Sequence, residues 1–95
     1  MMSEDELKQI ILAALAEAVP GSDVGKVDAR VSFRDQIEID SIDFLTFVLI
    51  LEKKLGLKVP EIDYPKLSSL SGCLTYFESG RGTAAEAAEQ GGTGA

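Results

Sequence analysis

The feature that most constrains this chain is the rhythm of its apolar side chains. In three separate segments they recur at spacings of three and four, and no segment alternates convincingly at period two. Residues 4 to 19 carry Leu7, Ile10, Ile11, Ala14, Leu15 and Ala18 in this rhythm. Ser3 and Glu6 precede them in S-x-x-E capping-box spacing, and Pro20 and Gly21 supply a stop. A second helix is expected from about Ser41 to Leu55, capped by Asp40 or Ser41 and closed by Gly56, with Leu57 as the apolar residue that often follows such a glycine. Val59 and Pro60 lead into a short helical turn around Glu61 to Tyr64, limited by Pro65 because a residue before proline disfavours helical geometry. After Ser68 or Ser69 as cap, Leu70, Cys73, Leu74 and Phe77 form another stripe, closed by Gly80. These segments predict an all-α four-helix bundle of three main helices and one short one.

A length of 95 residues allows one domain, too small to enclose a large active site. The domain is expected over residues 1–79. Five of the nine glycines lie in residues 80–95, a stretch with no apolar side chain larger than Ala, so it is expected to be a flexible tail outside the core. Within it, Thr83 to Gln90 is rich enough in Ala and Glu to form a transient helix. Between the first two helices, Ser22 to Asp40 shows no clear period. It reads as a long loop pinned by Val24, Val27, Val31, Phe33, Ile37 and Ile39, with a short turn after Ser32, and loops of roughly twenty residues in small domains are more often functional than idle.

Sixteen acidic side chains against nine basic ones leave a net charge of −7, which repels phosphate backbones, excludes nucleic-acid binding by a basic face and calls for basic partners. With no His and a single cysteine, neither a disulfide framework nor a zinc cluster can form, and no EF-hand spacing is present. Glu4, Asp5 and Glu6 stand where a signal peptide needs positive charge; they suit the start of the first helix. No apolar run reaches about 18 residues. The expectation is a cytoplasmic protein without a membrane span. Cys73, on the inward stripe of the last helix, reads as a small buried apolar residue and not as a nucleophile.

The second helix carries two apolar groups where a bundle helix needs one. At about 100° per residue, Phe44, Phe47, Val48, Leu51 and Leu55 share one side, whereas Ile42, Leu45 and Leu49 share another. The pattern alone fits a helix buried nearly all round and equally fits one that meets a partner. At its start, Asp35, Glu38, Asp40 and Asp43 place four acids and no base in nine residues, with Ser41 among them. As local structure, Asp40 or Ser41 caps the helix and Asp43 favours its dipole.

The wider pattern resembles the acyl carrier protein family. It is carried by Phe33 eight residues before Ser41, by D-S-I-D at Asp40 to Asp43 opening an apolar helix, by L-G-L-K-V-P at Leu55 to Pro60, and by a capped helix ending in Tyr76 and Phe77. Together these cover nearly everything from Glu4 to Glu78. The resemblance implies an acyl-carrier-like bundle in which Ser41, matching the serine of the family's D-S-L motif, receives 4′-phosphopantetheine from coenzyme A through a phosphopantetheinyl transferase. It further implies that the helix begun by Ser41 is read by partner enzymes through Asp40, Ile42, Asp43, Leu45 and Leu49. Those partners would be acyl-transferring, acyl-activating or condensing enzymes with basic docking patches, acting in fatty-acid, lipid or polyketide-type biosynthesis, and the carrier itself would be a monomer and not an enzyme.

The chemistry agrees: a serine hydroxyl is a poor nucleophile without a base, no His exists to serve, and Ser41 therefore reads as a substrate. Two departures stand out. The family's D-L-G-x-D-S reads Q-I-E-I-D-S, with Gln36 and Glu38 replacing Asp and Gly, and Thr46, Lys53 and Lys54 stand where further acids are usual. The latter favour a specialised carrier over the housekeeping one. Two alternatives are an aminoacyl or peptidyl carrier on the same serine, and an unmodified helical module docking through Ile42, Leu45 and Leu49.

Overall fold

The computed structural model describes residues 3–80 and the backbone of residues 83 and 84. Helix α1 spans Glu4–Ala18, the one-turn helix α2 spans Phe33–Gln36, α3 spans Ser41–Leu55 and α4 spans Leu70–Glu78. Short 3-10 segments occupy Val24–Lys26 and Glu61–Leu67. Each main helix begins with its expected cap. Ser3 Oγ accepts the Glu6 N–H at 3.1 Å while Glu6 Oε1 accepts the Ser3 N–H at 3.3 Å, which completes the capping box. Ser69 Oγ accepts the Gly72 N–H at 3.0 Å at the start of α4. At the end of α3, Gly56 adopts the left-handed conformation (φ 65°) and donates its N–H to the Glu52 carbonyl, a turn that a Cβ would strain.

Helix α1 packs on α3 and α4. Leu7, Ile11, Leu15 and Ala14 from α1 meet Phe47, Val48 and Leu51 from α3 and Leu70, Cys73 and Tyr76 from α4, with Val59 and Leu67 sealing the end near the second 3-10 segment. Phe33 enters this core from the long loop and places its ring edge-on to Phe47 at 5.4 Å, a favoured aromatic geometry. Gly72 lets α4 approach the preceding segment closely, because an added Cβ there would overlap the Lys66 carbonyl.

Two details differ from the sequence expectation, and a third has no signal in the sequence. Two-residue strands are present: Leu57–Lys58 (β1) pairs antiparallel with Thr83–Ala84 (β2), so these two residues are extended, where a transient helix was expected from Thr83. Composition could not announce the pairing, because such short strands are held by a distant partner and carry no period of their own. The remainder of the expected tail beyond Gly80 lies outside the described residues. The second 3-10 segment runs on through Pro65 to Leu67, because buried Leu67 draws it inward and Asp63 ties it to α4 by accepting the Tyr76 hydroxyl at 2.8 Å. Finally, buried Glu52 on the inner face of α3 accepts the Val59 N–H at 2.8 Å, with Lys58 Nζ 3.9 Å from its other oxygen. It fastens the chain leaving α3 back onto the helix.

Candidate functional site

The site is built where the long loop delivers the chain into α3. The loop is not held by apolar anchors alone. Gln36 donates from Nε2 to the Asp28 and Val31 carbonyls, each at 2.9 Å, and accepts the Asp28 N–H on Oε1 at 2.8 Å. The Phe33 N–H donates to the Ser68 carbonyl and the Ser71 N–H to the Ala29 carbonyl, both at 2.8 Å, which ties the loop to the approach to α4. Gln36, in the place of the family's usual Asp, thus organises this loop through its amide, which can both donate and accept where a carboxylate only accepts.

At the start of α3 the cap is Asp40. Its Oδ1 accepts the Asp43 N–H at 2.8 Å, and the Asp43 carboxylate reaches back to the Asp40 N–H at 3.4 Å. Ser41 is the first helical residue and is exposed, and its hydroxyl takes no part in the cap. Its Oγ instead accepts a hydrogen bond from Arg34 Nη2 at 2.9 Å. In α4 the serine stands one place earlier, at the cap position itself, and Ser69 spends its hydroxyl on its own helix. Arg34 was missed in the sequence because the acidic window begins at Asp35. The signal was its place on the short turn, seven residues before Ser41, where α2 brings it round to the serine.

Beside Ser41 opens a cleft of about 440 Å³ lined by Phe33, Arg34, Phe44, Leu45, Tyr64, Pro65 and Ser68. Burial, followed by the nearby charges of Glu52 and Glu61, pushes the Tyr64 phenol above its ordinary 10.0, so it remains a neutral hydroxyl at neutral pH.

The two apolar groups of α3 separate as their spacing suggested. Phe47, Val48 and Leu51 are buried and Phe44 and Leu55 partly so, whereas Ile42, Leu45 and Leu49 are 75%, 43% and 49% exposed. The 3-10 segment that flanks the cleft adds Ile62, 85% exposed, which the sequence reading did not single out because an isolated apolar residue in a turn has no period. Lys54 is turned toward α1, where it pairs with Glu17 at 2.8 Å, and the Thr46 hydroxyl folds back onto the Ile42 carbonyl. Cys73 is buried with its Sγ 3.4 Å from the Leu67 carbonyl, and burial pushes its thiol far above the ordinary range, as suits a packing residue.

These residues fit a covalent phosphopantetheine: an exposed hydroxyl free of cap duty, a guanidinium beside it, and open space next to it. Comparison with known proteins gives the same direction. The phosphopantetheine attachment site family matches residues 5–74. The acyl carrier protein of Micrococcus luteus is 35% identical over 74 residues, covering 75% of this chain and 91% of that protein. That of Myxococcus xanthus is 36% identical over 73 residues, 74% of this chain and 92% of the relative, and that of Bdellovibrio bacteriovorus 32% over 78 residues, 82% and 94% respectively. No solved structure matches. A capped helix led by a serine, a family match across most of the bundle and relatives aligned over nearly their whole length converge: the chain belongs to the acyl carrier protein family, whose members carry acyl groups on a covalent 4′-phosphopantetheine.

Proposed function

We propose that Ser41 is the attachment point of the phosphopantetheine arm and that the chain serves as a carrier and catalyses no reaction itself. The observation that carries this reading is the division of labour at the start of α3: Asp40 caps the helix, which leaves the exposed Ser41 hydroxyl unclaimed by the backbone. The chemistry supplied by the attached arm is that of a terminal thiol holding acyl groups as thioesters. The protein's own contribution is a rigid helix that presents the hydroxyl and an acidic, apolar surface around it.

Partner enzymes, first a phosphopantetheinyl transferase and then acyl-transferring, acyl-activating or condensing enzymes, dock in this reading on Ile42, Leu45 and Leu49 with Asp40 and Asp43 at the rim. Exposed apolar side chains that the core does not need support it, as does a net charge suited to basic patches. We place the carrier in the cytoplasm as a monomer, in fatty-acid, lipid or polyketide-type synthesis; among the described residues no helix is long and apolar enough to cross a membrane. The carrier unit is proposed to span residues 1–79, so removing residues 81–95, β2 included, should change stability by less than about 1 kcal/mol in urea unfolding.

The test is intact-mass spectrometry after incubation with coenzyme A, magnesium and several phosphopantetheinyl transferases. One phosphopantetheine should be added to the wild type and none to Ser41→Ala. Addition to the Ser41→Ala protein, or none to the wild type, would overturn the assignment.

A further inference from the structure

The contact between Arg34 and Ser41 is unusual in an acidic chain. Four carboxylates, Asp35, Glu38, Asp40 and Asp43, lie within nine residues of sequence beside it. Yet among the described residues the ion pairs within 4.0 Å run from lysines, and Arg34 directs its guanidinium to the neutral Ser41 oxygen at 2.9 Å. A guanidinium is a planar array of donors matched to phosphate oxygens, and its hydrogen bonds to an ionised acceptor are roughly twice as strong as those between neutral groups. Against a neutral hydroxyl most of that capacity is unused.

We propose that Arg34 is a positioning residue for the phosphodiester of the attached arm. The inference rests on the Ser41 assignment, since the phosphorus is then bonded to the very oxygen that Arg34 already reaches. On modification Arg34 exchanges a neutral acceptor for the charged phosphoryl oxygens two bonds away from it and holds the root of the arm against α2. This is local to the root: it fixes where the arm starts, at the edge of the cleft formed by Phe44, Leu45 and Tyr64, and leaves the thiol end free. It also offsets the charge that modification adds to an already acidic helix start, where Asp40 and Asp43 repel it. Residue 34 is exposed and contributes nothing to the core, so its replacement leaves the fold intact.

The experiment uses the full chain, modified enzymatically and checked by intact mass, with ³¹P NMR as the readout. In the wild type the phosphodiester resonance should be broad, because it tumbles with the protein. In Arg34→Gln it should narrow and move toward the position that the same phosphodiester takes in the urea-unfolded modified protein, and in Arg34→Lys it should fall between the two. Raising salt on the wild type, which needs no variant, should shift its resonance toward that of Arg34→Gln as the charge pair is screened. Full modification with identical resonances in wild type and Arg34→Gln would overturn the role of Arg34 alone. A wild-type mass without the added group would overturn the Ser41 assignment and this inference with it.

Discussion

Helices α1 and α3 are built alike and do different work. Each has 15 residues, each opens with a capping box, and they pack against one another. Their inner faces are comparable: Leu7, Ile11, Ala14, Leu15 and Ala18 on α1, and Phe47, Val48 and Leu51 on α3, are buried. The outer faces diverge. Helix α1 exposes Lys8, Gln9, Ala13 and Glu17 to solvent, as a surface helix does, whereas α3 exposes Ile42, Leu45 and Leu49. Folding requires only one apolar stripe per helix, so the second stripe on α3 is unexplained by stability and accords with docking. The caps divide in the same sense. On α1 a serine is the cap; on α3 an aspartate takes that duty and the serine is released.

The comparison is broken most readily from the inside. Phe47→Ala should cost about 3 to 5 kcal/mol, a large share of the roughly 5 to 15 kcal/mol that holds a small domain together, because it empties the centre of the core beneath Phe33. Urea unfolding measures it. A loss under about 1 kcal/mol would show that α3 does not rely on this face.

The next test concerns the one polar member of that face, which α1 has no counterpart for. Glu52→Ala strands the Val59 N–H and should destabilise by about 1 to 3 kcal/mol, read from the same unfolding curves.

A smaller effect depends on pH. Burial raises the folded-state pKa of Cys73 far above its ordinary 9.0. The buried thiol therefore contributes stability that is complete below that value and is lost as pH rises past it, since the unfolded thiol ionises first. Stability should fall by about 1.4 kcal/mol per pH unit above the ordinary value, and Cys73→Ala should remove this slope without changing the neutral-pH plateau's flatness. Unfolding free energies measured across an alkaline series test it; equal slopes in the two proteins would place the thiol in water.

The smallest effect on stability should come from the outer face, and it sharpens the comparison most. Leu45→Ala should leave unfolding within about 1 kcal/mol of wild type yet weaken transferase binding about fivefold or more, roughly 1 kcal/mol. Asp43→Asn should act mainly on the association rate and its dependence on salt. A Leu45→Ala protein that unfolds while binding normally would make the second stripe core.

Sequence alone determined the elements whose signals are local. Helical period, the two capping boxes, Gly56 as the end of α3 and the division of α3 into two apolar groups follow from spacings within a few residues, because backbone geometry relates neighbours regardless of the rest of the chain. The motif around Ser41 also pointed to the family. Spacing by itself left open which face of α3 is buried, since two apolar stripes on one helix are equivalent until α1 and α4 cover one of them; the family resemblance turns Ile42, Leu45 and Leu49 outward, and the packing leaves them there. Only the tertiary structure decided between Asp40 and Ser41 as the cap, for both side chains are competent and the choice rests on rotamers. The Gln36 contacts that hold the loop, the burial of Glu52, the pairing of Leu57–Lys58 with Thr83–Ala84 and the approach of Arg34 to Ser41 join residues across 5 to 27 positions with no repeating interval. Such contacts are selected by how the chain closes on itself, and a period read along the chain carries no trace of them.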